Sequence, residues 1–574
     1  MILQALCDYY QRKAADPEDG IAPEGFEWKA IPFLIVLNEQ GQFVAFQDTR
    51  EGEVKKKQAK AYLVPQREKR ASNIKANLLW DNAEYTLGAN PRGRSDIGER
   101  HAAFVGRLRE DLPADQPEVR TILAFLENDP LAQIQATPDM EAIWKEILET
   151  NPNLTFRLDG SPHGTICETL MPLLIKRTGE EQAEGRCLIT GESAPIARLH
   201  ASVGGVRGAQ SSGAALVSFN LAAFRSYGKD QNHNAPVGEK AAFAYTTALN
   251  HLLARDSTQK VQVGDATAVF WSEGKNAFEN QFAALFRLPD KDNPDAESQA
   301  VKALYESVYS GSLSNEGDTR FFVLGVAPNA ARISVRFWHQ DTLAGISEKL
   351  RRHFDDLEIV LAPKDPGHRS LMLLLCNLVL EGKADNVPPN LAGAVVRAIL
   401  TGSPYPQTLL HLAVRRIRAE RTVTRARAAV LKAVLNRSLR ARPADHKEIT
   451  VSLDPSNLSP GYRLGRLFAV LEKIQEDAQP GINATIRDRY YGAASSSPAS
   501  VFPQLLKLKN HHLAKLDNPS FRGAHEKRLA DIFDGIADMP PHLPMEEQAR
   551  FAIGYYHQRQ ALFTKTAKSE TTQA

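Results

Sequence analysis

With 574 residues the chain can bury several hydrophobic cores, and its 70 Lys and Arg against 68 Asp and Glu leave a net charge of only +2. Four scattered cysteines, none in a C-x-x-C pair, argue against a disulfide scaffold and against a structural zinc site. No apolar run reaches the roughly 18 residues of a membrane-spanning helix, and Met1–Tyr10 lacks the features of a signal peptide, so a reducing cytoplasm is the expected compartment.

In chain order, Ile2–Arg12 has a short helical pattern. Phe33–Leu37 and Phe43–Phe46 flank the Gly-containing turn Asn38–Gly41 and predict a hairpin. Arg50 to Lys75 is a basic stretch with nine cations against three acids, followed by the compact segment Leu78–Gly88. Residues 99–150 read as mostly helical, and residues 151–175 and 186–190 as extended, with short strands predicted at Leu154–Leu158 and Arg186–Thr190. A Gly/Ser-rich loop from Gly191 to Tyr227 leads into a predicted helix over Gly238–Leu253, with Ala242, Tyr245, Ala248, Leu249 and Leu252 on its apolar face.

Further strands are predicted at Ala268–Trp271, Phe321–Gly325 and Ile333–Trp338, the last two as a hairpin, before a helix at Leu343–Phe354. Past about residue 365 only helical periods remain: Leu371–Leu380, Leu391–Leu400, Pro406–Arg418, Val423–Arg442, Tyr462–Ala478, Val501–Leu516, Glu526–Ile536 and Met545 to about Thr564. The expected fold class is an α+β region over residues 1–360 followed by an all-α helical bundle over residues 365–574.

Clustered positive charge creates local fields that attract polyanions even in a near-neutral protein. The first candidate set is Lys55, Lys56, Lys57, Lys60, Arg67, Lys69, Arg70 and Lys75, with Asn73 and Asn77 interleaved. Cations attract phosphates and Asn can pair with base edges; a solvated charge run is the plain alternative. The second is the loop from Gly191 to Asn234, where Gly204, Gly205, Gly208 and Gly213 permit close backbone approach. Arg198, Arg207 and Lys229 there offer charge, and His200, Gln210, Ser211, Asn232 and Asn234 offer polar contacts to nucleic acid or to a partner subunit. It matches neither G-x-x-x-x-G-K-S/T nor G-x-G-x-x-G between strand and helix, so no nucleotide cofactor is expected.

The third set lies between Arg415 and Arg442, with ten cations against the single acid Glu420. On a helix from Val423, apolar residues at 423, 426, 430, 434 and 435 face a core, and Arg421, Arg425 and Lys432 fall on the other side as a positive ridge. The alternative is a face salt-bridged to other helices. In the fourth, Arg487, Arg489 and Tyr490-Tyr491 offer phosphate contacts and stacking, with core packing an equal account of the two rings. No catalytic constellation emerges. Ser211 and Ser212 lack a G-x-S-x-G elbow, His200, His233 and Asp230 lack metal spacing, and Asp256, Asp265 and Glu273 form no recognisable set.

Several stretches together resemble one family: LLWDNAEYTLG (78–88), ITGESAPIARLHASVGGVRGAQSSGAALVSFNLAAFRSYGKDQNHNAPV (189–237), AAFAYTTALNHLL (241–253), YRLGRLFAVLEKIQ (462–475) and INATIRDRYYGAASSSPASVFP (482–503). The chain resembles the large subunit of the subtype I-C CRISPR Cascade complex, an RNA-guided DNA surveillance assembly. That resemblance implies a non-enzymatic role without cofactor or metal. Its partners would be crRNA, backbone and repeat-processing subunits, target duplex and displaced strand, and a helicase–nuclease recruited after R-loop formation.

It also implies that the N-terminal region reads the protospacer-adjacent motif, which places Arg50–Lys75 and Asn73–Asn82, Asn82 included, at the duplex, while guide pairing reads the remaining sequence. The C-terminal bundle, which resembles the small subunit, would hold the non-target strand through Arg421, Arg425, Lys432, Arg487, Arg489 and Tyr490. A small subunit made by internal translation would need a non-AUG start, because no Met lies between Met372 and Met539. The alternative is a structural adaptor that contacts crRNA and backbone subunits without reading target DNA.

Overall fold

Phe33–Leu37 and Phe43–Asp48 form the antiparallel hairpin that their β-branched and aromatic runs predict, and Gly41 closes its turn at φ 77°. Phe33–Leu37 also pairs in parallel with Asn153–Leu158, which pairs antiparallel with Trp80–Asn82, giving a four-stranded sheet. One face buries Phe33, Ile35 and Phe156 with Phe104 and Phe125 from the helices that span most of residues 97–150, and Trp80, opposite Thr155, is buried on the other face. A parallel pair needs a long crossover, and residues 38–152 supply it.

The computed structural model describes residues 1–52, 57–68, 70, 74–162, 164–174, 184–210, 212–286, 294–310, 317–361, 369–442 and 447–563. These fall into two compact units: residues 1–203 with 212–251, and residues 204–211 with 252–574. Mixed α+β structure is followed by a predominantly helical region, as expected.

In the second unit, Lys260–Val263, Ala266–Ser272, Arg320–Asn329 and Arg332–Thr342 make an antiparallel meander. One face of this sheet, through Phe270, Phe321, Val323 and Phe337, joins the same apolar core as the helices from Leu343 onward. The helices Pro460–Ala478 and Met545–Phe563 touch backbone to backbone. A Cβ on Gly465 would lie 2.0 Å from the carbonyl oxygen of Phe551, so only glycine fits there.

Differences from the sequence expectation have local causes. Cys187–Thr190 turns instead of continuing a strand, because Gly191 N–H donates to Cys187 O at 2.9 Å. Ile166–Leu174 is a helix within a span read as extended. The helix predicted over Leu371–Leu380 stops at Cys376, and the patterns for Lys260–Val263, Pro294–Tyr309 and Ile486–Ala494 were too short or too polar to read. A capping box between Thr485 and Asp488 starts the last of these.

Candidate nucleic-acid interface

The N-terminal basic stretch folds as ribbon and loop, so its cations end up in unlike surroundings. Lys57 is exposed and 3.8 Å from Asp48, and Lys60 is exposed over the Tyr62 ring. Lys75 is exposed with Glu68 at 3.9 Å. Arg67 pairs with Glu27 at 3.1 Å and reaches the Ser212 carbonyl at 3.5 Å. Arg70 pairs with the buried Asp81 and lies over Tyr85 at 4.1 Å. Burial pushes the Asp81 carboxyl upward from its ordinary value, against the pull of Arg70 and of the Asn77 and Asn82 amides. Lys55, Lys56, Lys69 and Asn73 lie outside the described residues.

The two remaining asparagines have local work. Asn77 is buried and its Oδ1 accepts from Glu68 N at 2.8 Å, so it does not share an exposed side with Lys75. Asn82 caps the helix Ala83–Thr86, accepting from Glu84 N at 3.1 Å and Tyr85 N at 3.4 Å. Beside that helix lies a basic loop that the charge clusters did not single out. Arg92 and Arg94 are exposed on either side of Gly93; Arg92 approaches Glu84 at 3.9 Å and Arg94 pairs with Asp96 at 2.9 Å. The Asn90-Pro-Arg-Gly-Arg94 turn signal was the available clue.

In the long loop, Arg198 and Lys229 are exposed in the first unit, and Arg207 and Gln210 are exposed in the second. Ser211 lies outside the described residues. His200 is buried with Nδ1 2.6 Å from the Tyr245 hydroxyl, and Asn232 is buried. Gly205 is occupied by its own fold: at φ 78°, a Cβ there would meet the Leu253 carbonyl oxygen at 2.4 Å. Asn234 clamps a turn, accepting from Ser226 N at 3.0 Å and donating to the carbonyls of Lys229 and Gln231 at 3.0 and 2.8 Å.

In the arginine-dense C-terminal stretch, Arg427, Lys432 and Arg437 are internal, while Arg415, Arg418, Arg421, Arg440 and Arg442 are exposed. Its helix, Arg425–Arg440, is buried from Ala426 through Ser438, so no ridge runs along it. Lys432, expected on that ridge, is 3% exposed, and its Nζ donates to the Asp356 carbonyl at 3.0 Å. Burial lowers its pKa from the ordinary lysine value. Arg437 binds the fully buried Asp356 at 2.5 Å, donates to the Ala398 carbonyl at 2.8 Å and covers the Tyr405 ring at 4.0 Å. Arg427 pairs with Glu420 and donates to the Asn377 carbonyl at 2.9 Å. Arg425 is half-buried, and Arg421 is exposed where it ends the preceding helix at φ 56°.

Arg415 and Arg418 sit one helix earlier. On Gln407–Glu420, Thr408, His411, Arg415 and Arg418 are exposed at helical spacing. Arg418 lines a small packing gap with the buried Val414, Ile417, Tyr491 and Ser495, where its helix packs on Ile486–Ala494, and Arg489 on the latter is exposed. Arg487 is half-buried and turned toward Glu472 at 3.8 Å, in a cluster where the Tyr555 hydroxyl donates to the same carboxylate at 2.5 Å. Tyr490 is half-buried against the core, and Tyr491 is fully inside it.

A family model described as CRISPR-associated protein (Cas_Csd1) matches residues 6–563. The chain belongs to the Cas_Csd1 family. No curated protein matches it. The family match agrees with the resemblance of the sequence to a CRISPR Cascade large subunit. Among the described residues of this Cas_Csd1 chain, no group of three or more His, Cys, Asp or Glu side chains is placed to hold a metal ion. Glu273 pairs with Arg320 at 3.1 Å and Asp265 with Arg336 at 3.0 Å. No helix among the described residues is long and apolar enough to cross a membrane.

Proposed function

We propose that the chain is the non-catalytic large subunit of a subtype I-C Cascade complex. It recognises the protospacer-adjacent motif in duplex DNA, promotes crRNA-guided R-loop formation and stabilises the displaced non-target strand, and the finished R-loop recruits the helicase–nuclease. The observation that carries this reading is the family match across residues 6–563. The duplex side is assigned to Lys55, Lys56, Lys57, Lys60, Lys75 and the Arg92–Arg94 loop. The displaced-strand side is assigned to Arg415, Arg418, Arg421 and Arg489, whose exposed guanidinium groups can neutralise phosphates.

A second reading is favoured by two observations: Asn77 is buried, and the side-chain oxygen of Asn82 caps a helix. In that reading the chain is a structural adaptor, holding crRNA and backbone subunits without reading target DNA. Duplex binding by the assembled complex separates the two. With Lys55, Lys56, Lys57 and Asn73 changed to Ala, preference for an intact over a scrambled motif is expected to disappear while assembly persists. Unchanged preference favours the adaptor.

A further inference from the structure

Leu221, Ala222 and Ala223 are all exposed, Leu221 by 55%, and six residues on, Tyr227 is 99% exposed. A tyrosine so bare of neighbours gains nothing for the fold from its ring. The chain nevertheless holds it in one place. Ser226 and Lys229 close a tight turn through Lys229 N to Ser226 O at 2.9 Å, and both central residues, Tyr227 at φ 50° and Gly228 at φ 70°, are in the left-handed region. Such mirror-image turns favour Asn, Asp or Gly at both central positions, and a tyrosine there is strained. Asn234 supplies the compensation, through the three hydrogen bonds that tie Ser226, Lys229 and Gln231 together. A strained, braced turn that ends in a solvent-facing aromatic is preorganised for contact.

The composition of the tip selects the partner class. Between Asn220 and Asn234 the cations are Arg225 and Lys229 and the only acid is Asp230. Arg225 is already paired with Asp230 at 2.8 Å, which leaves Lys229 as the excess charge. One excess charge is a poor match for a phosphate chain, whose binding rests on several uncompensated cations. Leu221, Ala222 and Ala223 offer no ring on which a base could stack, but they suit an apolar protein surface, where tyrosine and arginine are the usual anchors.

We propose that the Leu221–Lys229 tip is a plug that docks into an apolar socket on a neighbouring protein subunit, with Tyr227 as its anchor and Lys229 meeting a carboxylate at the rim. This rests on the large-subunit reading and adds the surface by which the chain joins its assembly.

The test titrates the full chain onto a guide-RNA complex of backbone and repeat-processing subunits purified without it, and in parallel onto the naked guide RNA. Because Tyr227 is solvent-exposed, Tyr227→Ala is expected to keep the wild-type melting curve. Tyr227→Ala and Leu221→Ser are each expected to weaken joining by about tenfold or more, with Tyr227→Phe close to wild type and affinity for naked RNA unchanged. Asn234→Ala, which frees the turn, is expected to give a smaller loss. Unchanged joining by Tyr227→Ala overturns the plug, and an equal loss on naked RNA overturns it in favour of a base-stacking tip. A wild-type chain that does not join at all removes the large-subunit reading itself, and the plug with it.

Discussion

The ribbon and loop of Arg50–Lys75 and the helix Arg425–Arg440 are both dense in cations and place them differently. In the first, extended ribbon and loop leave Lys57, Lys60 and Lys75 in solvent, with Lys57 and Lys75 only loosely paired at 3.8 and 3.9 Å and Lys60 over the Tyr62 ring. In the second, a helix packed by neighbours on several sides draws Arg427, Lys432 and Arg437 into the interior, where carbonyls and the buried Asp356 satisfy them. Density of charge along a sequence therefore does not locate a surface for a polyanion. Backbone geometry and the burial of partners decide which cations remain available.

The largest expected effect tests the buried half of this contrast. Arg437→Ala takes from the buried Asp356 its closest ion-pair partner, leaving the half-exposed Arg440 and the more distant Lys432, and is expected to cost about 3 kcal/mol in a denaturant titration. Arg418→Ala, on the open face, is expected to change stability by less than about 0.5 kcal/mol. Equal costs for the two would erase the distinction.

A somewhat smaller effect comes from pH. Burial first, and then nearby positive charge, holds His353 down at about 3 and His557 down at about 4, from an ordinary value of 6.5. The unfolded chain takes up these protons near pH 6.5 and the folded one does not, so their stabilisation is complete above that pH and is lost as pH falls toward 4. Between pH 7.5 and 5.5 each histidine is expected to cost about 1 kcal/mol, read as a falling urea midpoint. The His353→Gln, His557→Gln double variant is expected to flatten that slope, and an unchanged slope would place its origin elsewhere.

The exposed face gives the smallest change in stability but a change in binding. Each of Arg415→Ala, Arg418→Ala and Arg489→Ala is expected to lower the salt slope of single-strand binding by about 0.7, uniformly across sequences.

The legible parts of the sequence were those governed by near neighbours. The Phe33–Leu37 and Phe43–Phe46 hairpin followed from two β-branched and aromatic runs around one glycine, and the long C-terminal helices followed from their apolar period. Arg425–Arg440 was legible as a helix but not as an interior one. The groups that receive its charges, Asp356, Asn377 and Ala398, lie 39 to 81 residues away along the chain. Asn77 was misleading for a similar reason. Its alternation with Asn73 and Lys75 suggested a shared face, but a bond to the Glu68 amide, nine residues back, turns it inward. The Leu221–Lys229 tip was visible as part of a loop, while its strain and the exposure of Tyr227 required coordinates.

The division between spent and available cations is tested most directly by nuclease protection of the displaced strand in the assembled, guide-loaded complex. The Arg415→Ala, Arg418→Ala, Arg489→Ala triple variant is expected to lose that protection while the complex still assembles and still pairs guide with target. Full protection by this variant would contradict the account and send the strand to another surface.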